Sequence, residues 1–181
     1  MRLGVASRLR ICRRRVEFFV SYAHRNQHLA ESLIDELMDL LRPSKAYEYV
    51  KWMDSAILVG DQWEKQILDA RDRCAFGLLL VSPAFLSSTF IGENELPHYV
   101  GDGRAASIPV MLSKVDFQLH DLKGLEALQI FRYMGQRYSE PRAYGECKSG
   151  NPRREFVFSL FQAIEAKLAL LESGATCSLS F

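Results

Sequence analysis

No run in this sequence approaches the ~18 consecutive apolar residues that a membrane-crossing helix requires, so no membrane span is expected. Cysteine is sparse. Cys12, Cys74, Cys147 and Cys177 stand far apart with no CxxC pair, which is no disulfide framework and points to a reducing, cytoplasmic setting. His24 and His28 sit at i, i+4, but no third ligand falls at motif spacing beside them, so no metal or other cofactor is expected. A GxxxxGK[ST] loop is missing, which argues against P-loop nucleotide hydrolysis. Gly101-Asp102-Gly103 lacks the third glycine of a dinucleotide-binding Rossmann turn. Leu80-Val81-Ser82-Pro83-Ala84 is not the GxSxG elbow of a serine hydrolase. The first strand ends on Ser21-Tyr22 rather than on the acids that a Mg²⁺-binding phospho-receiver would place there.

What is present is an ordinary globular composition. The chain has 181 residues, 48% hydrophobic and 25% charged, enough for one domain with a sizeable core. The formal net charge of +1 hides an asymmetry. Residues 1–16 hold six arginines (Arg2, Arg8, Arg10, Arg13, Arg14, Arg15) and no acid, which leaves 17 basic against 22 acidic residues in the remainder. This basic head has three readings: an Arg-rich transit peptide, a basic arm for phosphate or membrane surfaces, or a disordered extension before the first strand. The last is preferred, and no secretory signal or nucleic-acid partner is expected. The division that follows is a basic extension over residues 1–16, one domain over 17–172 and a flexible tail over 173–181.

Along the chain, strands alternate with helices. Residues 17–21 read as a first strand. Asn26 is placed to cap a helix whose face carries Leu29, Leu33, Ile34, Leu37, Met38 and Leu41 at helical spacing. Residues 47–53 read as a second strand. Asp61 and Glu64 form a D-x-x-E capping pattern before a helix with Trp63, Ile67, Leu68 and Cys74 on its face. Residues 76–81 are apolar throughout, the mark of a central parallel strand covered on both sides. Residues 107–112 and 128–131 complete five strands. Asn151-Pro152 then opens a final helix carrying Phe156, Leu160, Phe161, Ile164 and Leu168. The rhythm predicts an α/β flavodoxin-like three-layer fold around a five-stranded parallel sheet.

In such a sheet, ligands bind beyond the carboxyl ends of the strands. The segment after the third strand begins Ser82-Pro83, a cap followed by a proline at the first helical position. It leads to Glu93, Asn94, Glu95 and Leu96. Pro97 has no N–H and would free a carbonyl near Glu93, so irregular backbone is expected there. Glu95 lies one turn beyond Ile91, which predicts partial burial and a raised pKa.

In order and spacing, four segments resemble a TIR (Toll/interleukin-1 receptor) domain of the bacterial, NAD-cleaving type, over about residues 17–170. They are Phe18-Phe19-Val20-Ser21-Tyr22-Ala23-His24, then Val50-Lys51-Trp52-Met53-Asp54, then Gly60 with Trp63 and Ile67, and finally Leu79-Leu80-Val81-Ser82-Pro83 through Glu95-Leu96-Pro97. The resemblance implies cleavage of NAD⁺, as substrate rather than cofactor, by one glutamate that follows an aromatic. Here Phe90 is the aromatic, where the family usually has Trp or Tyr, and Glu95 is the glutamate, with Glu93 as the fallback. It also implies substrate contacts from Ser21, Tyr22, His24, Arg25, Trp52, Asp54, Trp63 and Phe90, and self-association through a BB-type loop over residues 54–60.

Most of these residues also have a plainer reading. Trp52 and Trp63 could pack the sheet, Arg25 could be a solvated loop charge, and Asp54 could brace its loop. The charged face of Glu64, Lys65, Asp69, Arg71, Asp72 and Arg73 reads most simply as solvated, with assembly contacts as the alternative. Two functions are therefore carried forward: an NAD⁺ glycohydrolase or cyclase in bacterial immune signalling, activated by self-assembly, and a non-catalytic TIR–TIR interaction module.

Overall fold

The computed structural model describes residues 13–53, 63–101, 105–136 and 138–173, with the Trp63 side chain excepted. Four parallel strands form one sheet: β1 (Arg14–Ser21), β2 (Tyr47–Met53), β3 (Phe76–Val81) and β4 (Ser107–Met111). Their order is β2-β1-β3-β4. The helices are α1 (Gln27–Leu41), α2 (Trp63–Arg73), the short α3 (Pro83–Leu86) and α4 (Leu96–Tyr99), and α5 (Asn151–Glu172).

The alternation of side chains along each strand divides the core in two. On one face Phe18, Val20, Leu78, Leu80 and Val110 pack with Leu33, Ile34, Leu37 and Leu41 of α1 and with Phe156, Val157, Leu160, Ile164 and Leu168 of α5. On the other, Phe19, Leu79, Val81 and Met111 pack with Ile67 and Ala70 of α2, Phe85 and Leu86 of α3, and Ile91, Leu96 and Tyr99. This is the expected three-layer arrangement. Each buried Leu, Ile or Phe contributes roughly 1.5–3 kcal/mol relative to exposure, and every residue of β3 is buried.

The sheet corrects the fifth expected strand. Residues 128–131 contribute only a parallel bridge between Phe131 and Val110. The Phe131 N–H donates to the Pro109 carbonyl at 2.7 Å, and the Met111 N–H donates to the Phe131 carbonyl at 2.9 Å. The next bond toward the amino end would need an N–H from Pro109, which has none. Toward the carboxyl end, Tyr133 pairs with Arg142 instead, at 3.0 and 2.8 Å. Proline on one side and a competing partner on the other confine the fifth position to one residue.

Smaller differences follow from tertiary contacts. β1 begins at Arg14, so the last residues of the basic head belong to the sheet, where Arg14 pairs with Glu172 of α5 at 2.7 Å. Residues 1–12 and 174–181 lie outside the described residues, as do Asp61 and the loop over 54–60. Asn26 makes no side-chain cap on α1. On α5, Val157 is buried where Phe161 was expected, and Phe161 is half-buried.

Candidate active site

The sequence Ser-Pro after an apolar strand builds the approach to the site. Ser82 accepts a hydrogen bond from the Phe85 N–H at 3.0 Å, and Pro83 opens α3. The Ser82 hydroxyl also donates to Oδ1 of Asn26 at 2.7 Å, which is where the side chain expected to cap α1 has gone. The chain then makes a five-residue π turn over Ile91–Glu95, in which the Leu96 N–H reaches back to the Ile91 carbonyl. Pro97 explains the wide turn. Its ring crowds the carbonyl four residues earlier and it has no N–H to donate, so the α register is interrupted. Turns of this kind are frequent at functional sites.

Glu95 ends the π turn and is 6% exposed. Its carboxylate accepts a hydrogen bond from the hydroxyl of Ser21, itself buried at the carboxyl end of β1. Ser21 shares the α2–α4 face of the sheet with Phe19, two residues earlier, which is why its side chain meets Glu95. Tyr99, one turn beyond Glu95, is buried, and its pKa is raised first by burial and then by the negative charge of Glu95.

Of the other expected site residues, Trp52 lies on this face near the end of β2. It is half-buried and stacks on Phe19, with ring centroids 5.1 Å apart at 12°. Phe90 is half-buried against the same core. Tyr22 points to the opposite core, with the ring of exposed His24 edge-on to it at 5.8 Å. Arg25 is exposed. Asp54 and the Trp63 side chain lie outside the described residues. The structure thus joins Ser21 to Glu95 directly, sets Trp52 and Phe90 in the same layer, and sends Tyr22 to the other.

Arg71, expected on a solvated face, lies beside Glu95 instead. The Arg71 side chain is only 13% exposed. Its Nη1 donates to the main-chain carbonyl of Asn94, next to Glu95. Its Nε and Nη2 donate to Oδ1 of Asp72, at 2.8 and 2.6 Å. The lone sequence signal was its place next to Ala70, on the margin of the α2 apolar face.

The family model described as TIR domain matches residues 18–144. This chain belongs to the TIR domain family. A comparison with curated proteins found no match. The matched span of this TIR domain contains Ser21, Trp52, Phe90 and Glu95 and stops short of α5. A surface groove of about 530 Å³ lies on the opposite layer, lined by Glu36, Asp39, Leu40, Arg154, Val157 and Phe158. Among the described residues, Glu95 is the buried carboxylate that meets the carboxyl edge of the sheet, where ligands bind in folds of this kind.

Proposed function

We propose that this TIR domain is an NAD⁺ glycohydrolase or cyclase that breaks the bond between nicotinamide and ribose, with Glu95 as the catalytic carboxylate. The observation that carries this reading is the Glu95 carboxylate, buried beyond the third strand of a parallel sheet and held by Ser21. Nicotinamide departs as a neutral base from a cationic pyridinium, so the reaction needs no general acid. The demand is for stabilisation of an oxocarbenium-like ribose, as in glycoside hydrolysis. A carboxylate in a water-poor setting meets that demand electrostatically, and the Ser21 hydroxyl fixes its orientation. Water then attacks the anomeric carbon to give ADP-ribose, or an adenine nitrogen attacks to give the cyclic product. Trp52 and Phe90 would offer aromatic surface to the substrate rings, and Ser21 at the end of β1, with His24 and Arg25 just after it, would meet its polar part. TIR domains commonly self-associate. Self-assembly through residues 54–60 would switch the activity on in bacterial immune signalling in the cytoplasm. Among the described residues, no helix is long and apolar enough to cross a membrane.

Purified protein, assayed with NAD⁺ across protein concentration with products identified by mass, tests this. Turnover should rise with assembly, and Glu95→Ala should lower it about 10²–10³-fold, the scale of losing one electrostatic stabiliser. Turnover that survives Glu95→Ala and Glu93→Ala alike would sink the mechanism. The depth of Glu95 favours a second reading, a non-catalytic TIR–TIR scaffold, because a carboxylate 6% exposed and bound to Ser21 also serves as an internal tie. That reading predicts concentration-dependent oligomers without NAD⁺ turnover.

A further inference from the structure

We propose that Arg71 is a positioning residue for Glu95, acting through the peptide that links Asn94 to Glu95. The inference rests on the reading of Glu95 as the catalytic carboxylate. The geometry is direct. A peptide unit is planar, so the Asn94 carbonyl and the Glu95 N and Cα move together. Fixing that carbonyl fixes the origin of the Glu95 side chain. Arg71 fixes it with a charge-assisted hydrogen bond, which is roughly twice as strong as a neutral one. The guanidinium is itself held in orientation, since Nε and Nη2 converge on Oδ1 of Asp72 at 2.8 and 2.6 Å. The same Asp72 oxygen lies 3.5 Å from Nδ1 of His98. The Arg71–Asp72 pair of α2 therefore touches the chain on both sides of Glu95, at residues 94 and 98.

This bracing answers a specific weakness. The π turn and Pro97 interrupt the regular ladder at the point where a catalytic carboxylate needs to be held within about 0.5 Å of its working position. Arg71 adds a restraint from α2 to the turn's own bond between the Leu96 N–H and the Ile91 carbonyl. Because its hydrogen bond goes to the Asn94 carbonyl and positions the backbone of Glu95, its loss should slow the chemical step and leave substrate affinity in place.

The test uses the full chain in its assembled form, with Arg71→Ala, Arg71→Lys and, as a control, Arg73→Ala, whose side chain is exposed on the same helix. For Arg71→Ala, kcat for NAD⁺ should fall roughly 10- to 100-fold, the range for losing a hydrogen bond to a charged group, with KM changed by less than about twofold. Arg71→Lys keeps a charged donor and should recover part of the loss. Arg73→Ala should match the parent. Amide hydrogen exchange on the same proteins should quicken over residues 91–99 in Arg71→Ala and stay unchanged across β3. An unchanged kcat, a loss confined to KM, or a lysine variant no better than alanine overturns the proposal. If no protein, the parent included, releases nicotinamide at any concentration, the glycohydrolase reading fails and takes the catalytic part of this one with it. Exchange then decides alone, and unchanged exchange over residues 91–99 overturns the structural part as well.

Discussion

Tyr99 shows how tightly single residues are bound up with this site. It is 1% exposed, and among the described residues its hydroxyl has no hydrogen-bond partner. An unpaired buried hydroxyl costs about 1–3 kcal/mol, so Tyr99→Phe should leave the urea midpoint unchanged or raise it. Its ring also explains Gly77. A Cβ at that position would lie 2.4 Å from Tyr99 Cζ. Gly77→Ala should therefore cost about 1–3 kcal/mol by overpacking, and combining it with Tyr99→Phe should not restore the loss, because Cζ remains. His98 gives a prediction about pH. Burial lowers its pKa first, and the Arg71 charge lowers it further, partly opposed by Asp72. Between the folded value and the unfolded value of 6.5 the unfolded chain binds more protons. Stability is thus full above about pH 6.5 and declines as pH falls through the folded value. Urea unfolding from pH 7.5 down to 5 should show this slope, and His98→Gln should flatten it. At this scale the sequence showed Glu95 as an acid in a suggestive place. It could not show that Gly77 lies under a tyrosine ring or that Arg71 is turned inward, because both depend on neighbours more than 20 residues away in the chain.

At the scale of elements, local chemistry was legible where it is self-contained. Ser82-Pro83 announces its own cap and helix start, and the structure shows both. Pro97 announced irregular backbone, and a π turn is there. Asn26 does not cap α1 as its position predicts, because its competitor is far away in the chain. The Ser82 hydroxyl, 56 residues on, occupies the oxygen that would have capped α1. Ser82 thus serves two elements, accepting from the Phe85 N–H and donating to Asn26. Ser82→Ala should cost about 1–2 kcal/mol, as the loss of an N-cap does. In a double-mutant cycle with Asn26→Ala, a coupling of about 0.5–1.5 kcal/mol in urea unfolding is expected, and a coupling of zero would show that the cap alone matters.

For the whole molecule, the layered α/β order was legible because helix and strand periodicities alternate along the chain. The width of the sheet was not. Pro109 was visible in the fourth strand, yet its consequence appears only when residue 131 approaches that edge. The family match ends at residue 144, but α5 is integral to the fold. It covers α1 and the first face of the sheet with Phe156, Val157, Leu160, Ile164 and Leu168. Glu165 on the same helix accepts hydrogen bonds from Ser44 at 2.7 Å and Tyr49 at 3.0 Å. A chain ended at Gly150 should expose that face and lose cooperative unfolding in urea, and Leu160→Ala in the full chain should cost about 2–5 kcal/mol.

The sequence by itself determined the parts whose physics is local: the buried run of β3, the amphipathic faces of α1 and α5, the Ser82-Pro83 helix start, and an acid one helix past a strand. Periodicity, capping and proline chemistry act within a few residues and leave their pattern in the chain. The tertiary structure alone decided what Glu95 touches, which side Tyr22 faces, how far the fifth strand pairs and whether Arg71 meets water or the Asn94 carbonyl. Those outcomes depend on which of several distant donors and acceptors reaches a given group first, and only packing settles that competition.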